Sequence, residues 1–335
     1  MNTVKVPSQR RTVLRAACLV VSAALCGMAM PAQAQSDYPS RAVRLIVPFA
    51  PGGATDLIGR LLAQKLSEAD SLNASVIVEN RPGAGSVLGT DAAVKSSADG
   101  YTLVMSNGSA ITTAPFLRAS LPYDPDKDFK HVALIGTFPN AFVVRTENPI
   151  QSFEAFVEQA RAQPDTINFS SAGVGSAGFL TGELLRQNGV AMTHIPYKGT
   201  GPATVDLLGG QIDALFDGLP TATTQVKAGK MRVLAVSGAK RMPNFPEVPT
   251  MDEVVPGVVG EAWFGISVPA NTPPAVIDKL EAEIVRIVAA PDVQARLQEL
   301  GMSPIGAGQQ QFAQFIRAES DRWGPVIKAA NIPVQ

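Results

Sequence analysis

The chain has 335 residues, of which 46% are hydrophobic and 17% charged, and its formal net charge is −1. A chain of this length buries enough apolar surface to fold without disulfides, and it is long enough for two lobes. The near-neutral balance excludes the basic surface by which proteins bind nucleic acid or an anionic membrane. Any anion bound by this chain must therefore be held by a local site.

The N-terminal segment has the pattern of an export signal. Three arginines within residues 10–15 precede an apolar run, residues 16–30, and residues 32–34 read Ala-Gln-Ala, which is typical of a cleavage site. The apolar run is too short to span a membrane. We predict cleavage near Ala34/Gln35 and a periplasmic mature chain. The adjacent arginines also resemble a twin-arginine signal, so the export route stays open.

The mature chain lacks the usual centres of enzyme chemistry. Both cysteines, Cys18 and Cys26, lie in the leader, and no Gly-x-Ser-x-Gly elbow occurs. The two histidines, His131 and His194, have no neighbours at metal-ligand spacing. We predict no catalytic residue, no metal and no cofactor.

Removing the four basic leader residues leaves 24 basic against 29 acidic residues, so the mature chain has a net charge of about −5.

Strand and helix patterns alternate along the mature chain, which is typical of wound α/β architecture. Predicted strands cover residues 42–49, 75–79, 101–105, 142–144, 167–170, 192–196, 214–216, 232–237 and 263–268. Predicted helices cover residues 57–66, 85 to about 95, 153–162, 177–188 and the C-terminal region. The apolar face of the last helix, which includes Phe312 and Trp323, is interpreted as core packing.

Two lobes are predicted from this order. Lobe 1 consists of residues 35–138 and 262–335, and lobe 2 of residues 139–261. The strand that begins near Trp263 would return the chain to lobe 1.

Residues 173–178 read Gly-Val-Gly-Ser-Ala-Gly between a predicted strand and a predicted helix, which is the pattern of a dinucleotide-binding turn. Such a turn is followed about 20 residues later by an acid that binds the ribose. Residues 192–197 contain neither Asp nor Glu. An NAD-dependent oxidoreductase is therefore an alternative that the missing acid disfavours.

Two loops rich in Gly, Ser and Thr come directly before helices, one in each predicted lobe. Backbone N–H groups at a helix start bind anions, and glycine lets a ligand approach the backbone. The predicted donors are Gly52, Gly53, Ala54 and Thr55 in lobe 1 and Ser171, Ala172, Gly173, Gly175 and Ser176 in lobe 2. Either loop alone could be a tight turn, but two loops facing one cleft predict a site for a small carboxylate.

Eight motifs occur in a fixed order along the mature chain. They are YPS (38–40) with RLIVPFAPGGATD (44–56), VENRPGAGS (78–86), DGYTL (99–103), LPYDPDKDF (121–129), NFSSAGVGS (168–176), HIPYKGTGPA (194–203), DLLGGQIDALFD (206–217) and WFGISVPANTP (263–273). In this order they resemble the Bug receptors, the extracytoplasmic substrate-binding proteins of tripartite tricarboxylate transporters. The resemblance extends over essentially the whole mature chain.

The resemblance implies a type II periplasmic-binding-protein fold, in which two wound α/β lobes close on a small mono- or dicarboxylate. One carboxylate would be held, through main-chain groups and ordered waters, by the first glycine loop, Phe49–Asp56, and the second glycine loop, Ser171–Ser176. The far end of the ligand would meet Ser106, Asn107, Ser109, Tyr197, Thr200 and Asp217. Asp56 is interpreted as a brace for its helix, whereas Asp217 could contact the ligand or brace lobe 2.

The chain departs from the family pattern at two positions. Phe179 stands where many relatives have His, and Gly218 follows Asp217 where Asn is common. If Phe179 lines the cleft, an apolar or aromatic carboxylate is favoured. The partners implied by the resemblance are a large and a small membrane permease subunit. A periplasmic sensor with the same binding chemistry stays open, and we expect a monomer that is not an enzyme.

Overall fold

The computed structural model describes residues 38–330 and residue 332. The predicted export signal and its cleavage site lie outside these residues. From Pro39 onward the chain forms one unit of continuous tertiary contact. Within this part of the chain, no helix combines the length and the apolar character that a membrane span requires.

The described residues form ten β-strands and eleven α-helices. The strands are β1 Val43–Val47, β2 Val76–Asn80, β3 Thr102–Asn107, β4 Phe129–Arg145, β5 Asn168–Ser171, β6 Thr193–Pro196, β7 Ala214–Gly218, β8 Met231–Val236, β9 Glu261–Pro269 and β10 Ser303–Gly308. The helices are α1 Ala54–Ser67, α2 Val87–Val94, α3 Ala114–Leu117, α4 Phe153–Ala162, α5 Ala177–Gln187, α6 Thr200–Leu208, α7 Leu219–Lys227, α8 Met251–Val254, α9 Pro274–Ala289, α10 Pro291–Glu299 and α11 Gln309–Ala329. A π-helical turn, Ser109–Thr113, precedes α3.

The strands pair in the order β2-β1-β3-β9-β4-β7-β5-β6, with β8 and β10 also paired to β4. Strand β4 divides this arrangement. Its residues 129–139 pair with β9, whereas its residues 140–145 pair with β7 and β8. One half of the sheet therefore contains β1, β2, β3, β9 and β10, and the other contains β5 to β8. The predicted wound α/β class is confirmed, and the predicted lobe boundaries fall in β4 and at the start of β9.

Each half of the sheet has its own hydrophobic core, and β4 contributes to both. Phe129 and Leu134 of β4 lie in the core of the first half, together with Trp263. Phe142 lies in the core of the second half, where its ring packs 4.6 Å from Phe156 and 4.8 Å from Phe216 between centroids. Because β4 packs into both cores, it fixes the two halves beside each other at the point where it crosses between them.

Candidate ligand-binding site

The first glycine loop, Phe49–Asp56, includes the start of α1, which begins at Ala54. Gly53 is the N-cap residue, with extended backbone angles of φ −90° and ψ 175°, and Gly52 has φ 88°, a conformation that favours glycine. Ala54 and Thr55, the first helical residues, are buried. The first N–H groups of an α-helix have no intrahelical acceptor, so this loop presents backbone donors.

Asp56 braces the first glycine loop from behind. Its carboxylate accepts hydrogen bonds from the Gly52 N–H at 3.1 Å, from Arg60 at 3.1 Å and from Asn80 at 2.9 Å. Burial alone would raise the pKa of Asp56, but these hydrogen bonds outweigh burial and hold that pKa below its usual range. The carboxylate is therefore charged, and its hydrogen bonds tie the loop to α1 and β2.

The second glycine loop is held by the buried hydroxyl of Ser171. This oxygen accepts from the Gly173 N–H at 3.1 Å, contacts Ser176 Oγ at 3.3 Å and lies 2.8 Å from His194 Nε2. Burial lowers the pKa of His194 to about 4, so the ring is neutral at physiological pH. Ser176 caps α5 by accepting from the Phe179 N–H at 3.3 Å.

The two loops meet at one cavity of about 70 Å³, which lies between the N-terminal ends of four helices. These ends are Gly53–Thr55 at α1, Ser176–Gly178 at α5, Thr200 at α6 and Gly218 at α7. They are close to one another. A Cβ atom on Gly53 would lie 3.0 Å from Thr200 Oγ1, and one on Gly218 would lie 2.7 Å from the Cβ of Ala54.

The helix N-termini favour an anion at one part of this cavity, whose wall also contains the acidic side chains of Glu261 and Glu319. Each helix N-terminus carries a partial positive charge that is worth about 0.3–1 kcal/mol to an exposed anion and up to about 2 kcal/mol to a partly buried one. No Arg, Lys or His is among the described residues that line the cavity. Capture would therefore depend on aligned backbone dipoles and N–H groups.

Comparison with known proteins identifies the family. Residues 58–332 match the family described as "Tripartite tricarboxylate transporter family receptor". This chain belongs to that family. BugT of Bordetella pertussis is 38% identical over 308 residues, covering 91% of this chain and 94% of BugT. The predicted resemblance to the Bug receptors is confirmed, and the family is one of receptors rather than enzymes.

Solved structures agree with this receptor in fold. R. palustris Rpa4515, solved with adipate, superposes with a TM-score of 0.85 at 33% identity, covering 88% of this chain and 99% of that one. MatC from Rhodopseudomonas palustris, solved with bound malate, superposes with a TM-score of 0.80 at 33% identity, covering 87% and 100%. The predicted two-lobed α/β fold of periplasmic binding proteins is thereby confirmed for this receptor.

The structure brings together most of the predicted site residues of this receptor at the cavity wall. Those that line it are Phe49, Gly53, Ala54, Thr55, Asn107, Ser109, Ala172, Gly175, Ser176 and Thr200. Those that do not line it are Gly52, Asp56, Ser106, Ser171, Gly173, Tyr197 and Asp217. Both glycine loops therefore reach the cavity, but with only part of their residues.

Several residues predicted for the far end of the ligand are engaged elsewhere in the receptor. The Tyr197 hydroxyl donates to Asp206 of α6. Ser106 Oγ donates to Ser267 Oγ at 2.5 Å, and Ser267 in turn lies 2.8 Å from His131 Nδ1. These contacts hold neighbouring elements together. Tyr197 and Ser106 are therefore not part of the cavity wall, which other side chains form.

Asp217 lies fully buried at the end of β7, where Thr221 Oγ1 donates to its Oδ1 at 2.6 Å. Burial raises the pKa of Asp217 to about 6, and the nearby hydroxyls of Thr200 and Thr221 offset this only in part. The folded receptor therefore holds a proton on Asp217 at pH values where the unfolded chain has lost it. Stability contributed by this group falls as pH rises from about 4 to about 7.

We expect Asp217→Asn to remove this pH dependence, because the amide does not titrate. The free energy of unfolding of the variant relative to wild type should increase by up to about 3 kcal/mol between pH 4 and pH 7. Urea unfolding of the ligand-free receptor at several pH values measures the difference. A difference that stays constant with pH would show that Asp217 titrates alike in the folded and unfolded states.

The cavity also contains residues that the sequence did not indicate. They are Phe138, Asn140, Glu261, Trp263, Glu319 and Trp323, contributed by β4, β9 and α11. Burial raises the pKa of Glu319, against the lowering effect of Arg322 and Trp323. The only sequence signal for this wall was the motif that begins at Trp263, and it was interpreted as a strand. The interpretation of Trp323 as core packing alone was incomplete, because this side chain also lines the cavity.

Phe179 packs into the core rather than the cavity wall. It belongs to a buried cluster with Leu117, Leu180 and Trp323, and its ring lies 4.8 Å from that of His194 between centroids. A preference for aromatic ligands therefore gains no support from this residue. Within residues 38–330, no group of three or more His, Cys, Asp or Glu side chains is placed to hold a metal ion.

Proposed function

We propose that this receptor is a periplasmic solute-binding protein that captures a small mono- or dicarboxylate by lobe closure and delivers it to a tripartite tricarboxylate-type membrane transporter. The observation that carries the proposal is the convergence of four helix N-termini on one cavity. Such a site favours an anion through dipoles that are already oriented. The R. palustris relatives solved with adipate and malate support a carboxylate as that anion.

The proposed ligand-binding residues are those of the two glycine loops that line the cavity, with Asn107, Ser109 and Thr200 beside them. The remaining predicted residues have supporting positions outside the cavity wall. The lobes are proposed to consist of residues 35–138 with 262–335 and of residues 139–261.

Lobe closure is supported by hydrogen bonds between residues of the two proposed lobes. The Ala50 N–H donates to the Lys198 carbonyl at 2.9 Å, and Thr113 Oγ1 donates to the Gly175 carbonyl at 2.8 Å. A ligand that accepts hydrogen bonds from both lobes would favour the closed state over an open one, because it makes all of these bonds only when the lobes are closed.

The proposed location and partner are supported by different observations. The arginine-led apolar segment ending in Ala-Gln-Ala supports export and cleavage near Ala34/Gln35. Membership in the transporter receptor family supports membrane permease subunits as the recipients of the ligand.

A calorimetric titration of the mature protein tests the proposal. The panel is adipate, malate, succinate and butyrate, with adipamide and succinamide as neutral controls of matched shape. We expect at least one carboxylate to bind and to stabilise the protein by about 2.7 kcal/mol at 100 times its dissociation constant, with a weaker effect from the amides. Binding of the amides as tightly as the acids would contradict an anion site.

A further inference from the structure

Two buried side-chain N–H donors at the cavity wall have no acceptor within the described part of the chain. They are Trp263 Nε1 and Asn140 Nδ2, and their residues are 1% and 6% exposed. Of the buried, unpartnered side-chain polar atoms in this part of the protein, these two belong to residues that line the cavity. A buried donor without an acceptor costs folding free energy, and at a cavity wall a bound ligand can supply the missing acceptor.

Trp263 is held rigidly in β9. Its ring makes edge contacts with Phe312 and Phe315 of α11 at centroid distances of 5.5 and 5.8 Å. Its Nε1 lies 3.3 Å from the position that a Cβ atom would take on Gly108, another residue of the cavity wall. The indole N–H is therefore fixed beside the cavity.

The second tryptophan provides a contrast within the same cavity. Trp323 also lines the wall, but its Nε1 donates to Glu319 Oε2 at 3.2 Å. Of the two indole groups in this receptor, the one on Trp323 has an acceptor within residues 38–330 and the one on Trp263 has none there.

Asn140 is fixed through its backbone. Its N–H donates to Ser237 Oγ at 2.9 Å, and its carbonyl accepts from the Ser237 N–H at 2.9 Å. In the β4–β7 register Asn140 lies opposite Gly218, the N-cap residue of α7. Asn140 and Gly218 are thus neighbours in the sheet, and both line the cavity.

We propose that Trp263 and Asn140 are ligand-binding residues whose side-chain N–H groups donate to oxygen atoms of the captured carboxylate. This inference rests on the proposed function and adds two side-chain donors to the backbone donors of the glycine loops. A carboxylate has acceptors and no donor, so it satisfies both groups at once. A primary amide keeps one acceptor oxygen but has an N–H group in place of the second, so it should satisfy these donors less well and bind more weakly.

Nuclear magnetic resonance of the intact mature protein tests the inference directly. The chain has two tryptophans, so ¹⁵N-labelled tryptophan yields two indole N–H signals, assigned with Trp263→Phe and Trp323→Phe. Adipate, malate, succinate and butyrate are the probes. On titration with a probe that binds by calorimetry, the Trp263 proton signal should move downfield with the calorimetric midpoint, because a new hydrogen bond deshields it. The Trp323 signal, already hydrogen-bonded, should move less.

Affinity measurements give an independent result. Trp263→Phe and Asn140→Leu should each weaken binding of the same probe roughly 10- to 100-fold, since each removes a donor to a charged acceptor. Thr223→Val is the matched control, because Thr223 Oγ1 is likewise buried without a partner but its residue does not line the cavity. Its affinity should equal that of wild type.

The possible failures are distinguishable. If calorimetry detects binding while the Trp263 signal stays in place at saturation, or while Trp263→Phe and Asn140→Leu bind like wild type, the two donors do not contact the ligand and the inference is wrong. If no carboxylate of the panel binds, the proposed function fails and the inference fails with it.

Discussion

Replacing Gly201 with alanine is expected to weaken carboxylate binding roughly 30- to 150-fold, which corresponds to about 2–3 kcal/mol of overpacking in the closed state. Gly201 lies in the first turn of α6 in proposed lobe 2. A Cβ atom on it would lie 2.0 Å from the carbonyl oxygen of Pro51, in the first glycine loop of proposed lobe 1. The carbonyl belongs to the backbone and the position of the Cβ atom is fixed by it, so neither group can rotate away. With alanine at position 201, the two proposed lobes could not approach each other as closely as they do in this structure.

The test compares Gly201→Ala with Gly209→Ala at the other end of the same helix. A Cβ on Gly209 meets its nearest atom at 3.4 Å, an ordinary contact, so this control should bind like wild type. Calorimetry measures affinity, and small-angle scattering with ligand present reports whether the radius of gyration falls on binding. Wild-type affinity in Gly201→Ala would show that binding does not require the contact between α6 and the first glycine loop.

Replacing Gly53 with leucine is expected to abolish binding, with no heat detected up to about 1 mM ligand. Gly53 lines the cavity, and a side chain there would start 3.0 Å from Thr200 Oγ1 and extend into a volume of about 70 Å³. The fold should survive, because the extended backbone of Gly53 at φ −90° is accessible to any residue. Leucine would therefore occupy the space of the ligand without straining α1.

A graded series makes this result informative. Gly53→Ala adds only the Cβ atom and should give an intermediate loss of affinity, while circular dichroism and thermal unfolding verify that both variants are folded. The second glycine loop is less suited to this experiment, because Gly175 has φ 85° and any side chain there strains the backbone. Tight binding by Gly53→Leu would mean that the ligand does not lie against the start of α1.

These two substitutions act on different parts of the site. Gly53 faces the cavity, so its substitution removes space for the ligand, and a Cβ atom there also lies 3.0 Å from Thr200 Oγ1 of proposed lobe 2. Gly201 is not a residue of the cavity wall, so its substitution acts on the approach of the two proposed lobes. If Gly53→Leu loses affinity while Gly201→Ala binds like wild type, the site forms without closure of the lobes.

Strand β4 illustrates where local patterns fail. Only residues 142–144 of its 17 residues were predicted, because Gly136 and Pro139 interrupt the apolar run. Gly136 is explained by β10, whose Ser303 carbonyl would lie 2.4 Å from a Cβ atom at that position. A glycine that locally indicates the end of a strand is thus the residue that lets a neighbouring strand approach. Strand β10 was not predicted either.

The sequence by itself determined the alternation of strands and helices, the two glycine loops before helices and the family. These properties are carried by residues close together in the chain, where periodicity and turn chemistry act. Only the tertiary structure decided which side chains reach the cavity. It placed Tyr197 and Asp217 away from the cavity wall, packed Phe179 into a core and brought Asn140 and Trp263 to the cavity wall. The physical reason is that burial of a donor and the absence of an acceptor depend on β4, β9 and α11 packing together, and no local pattern records that packing.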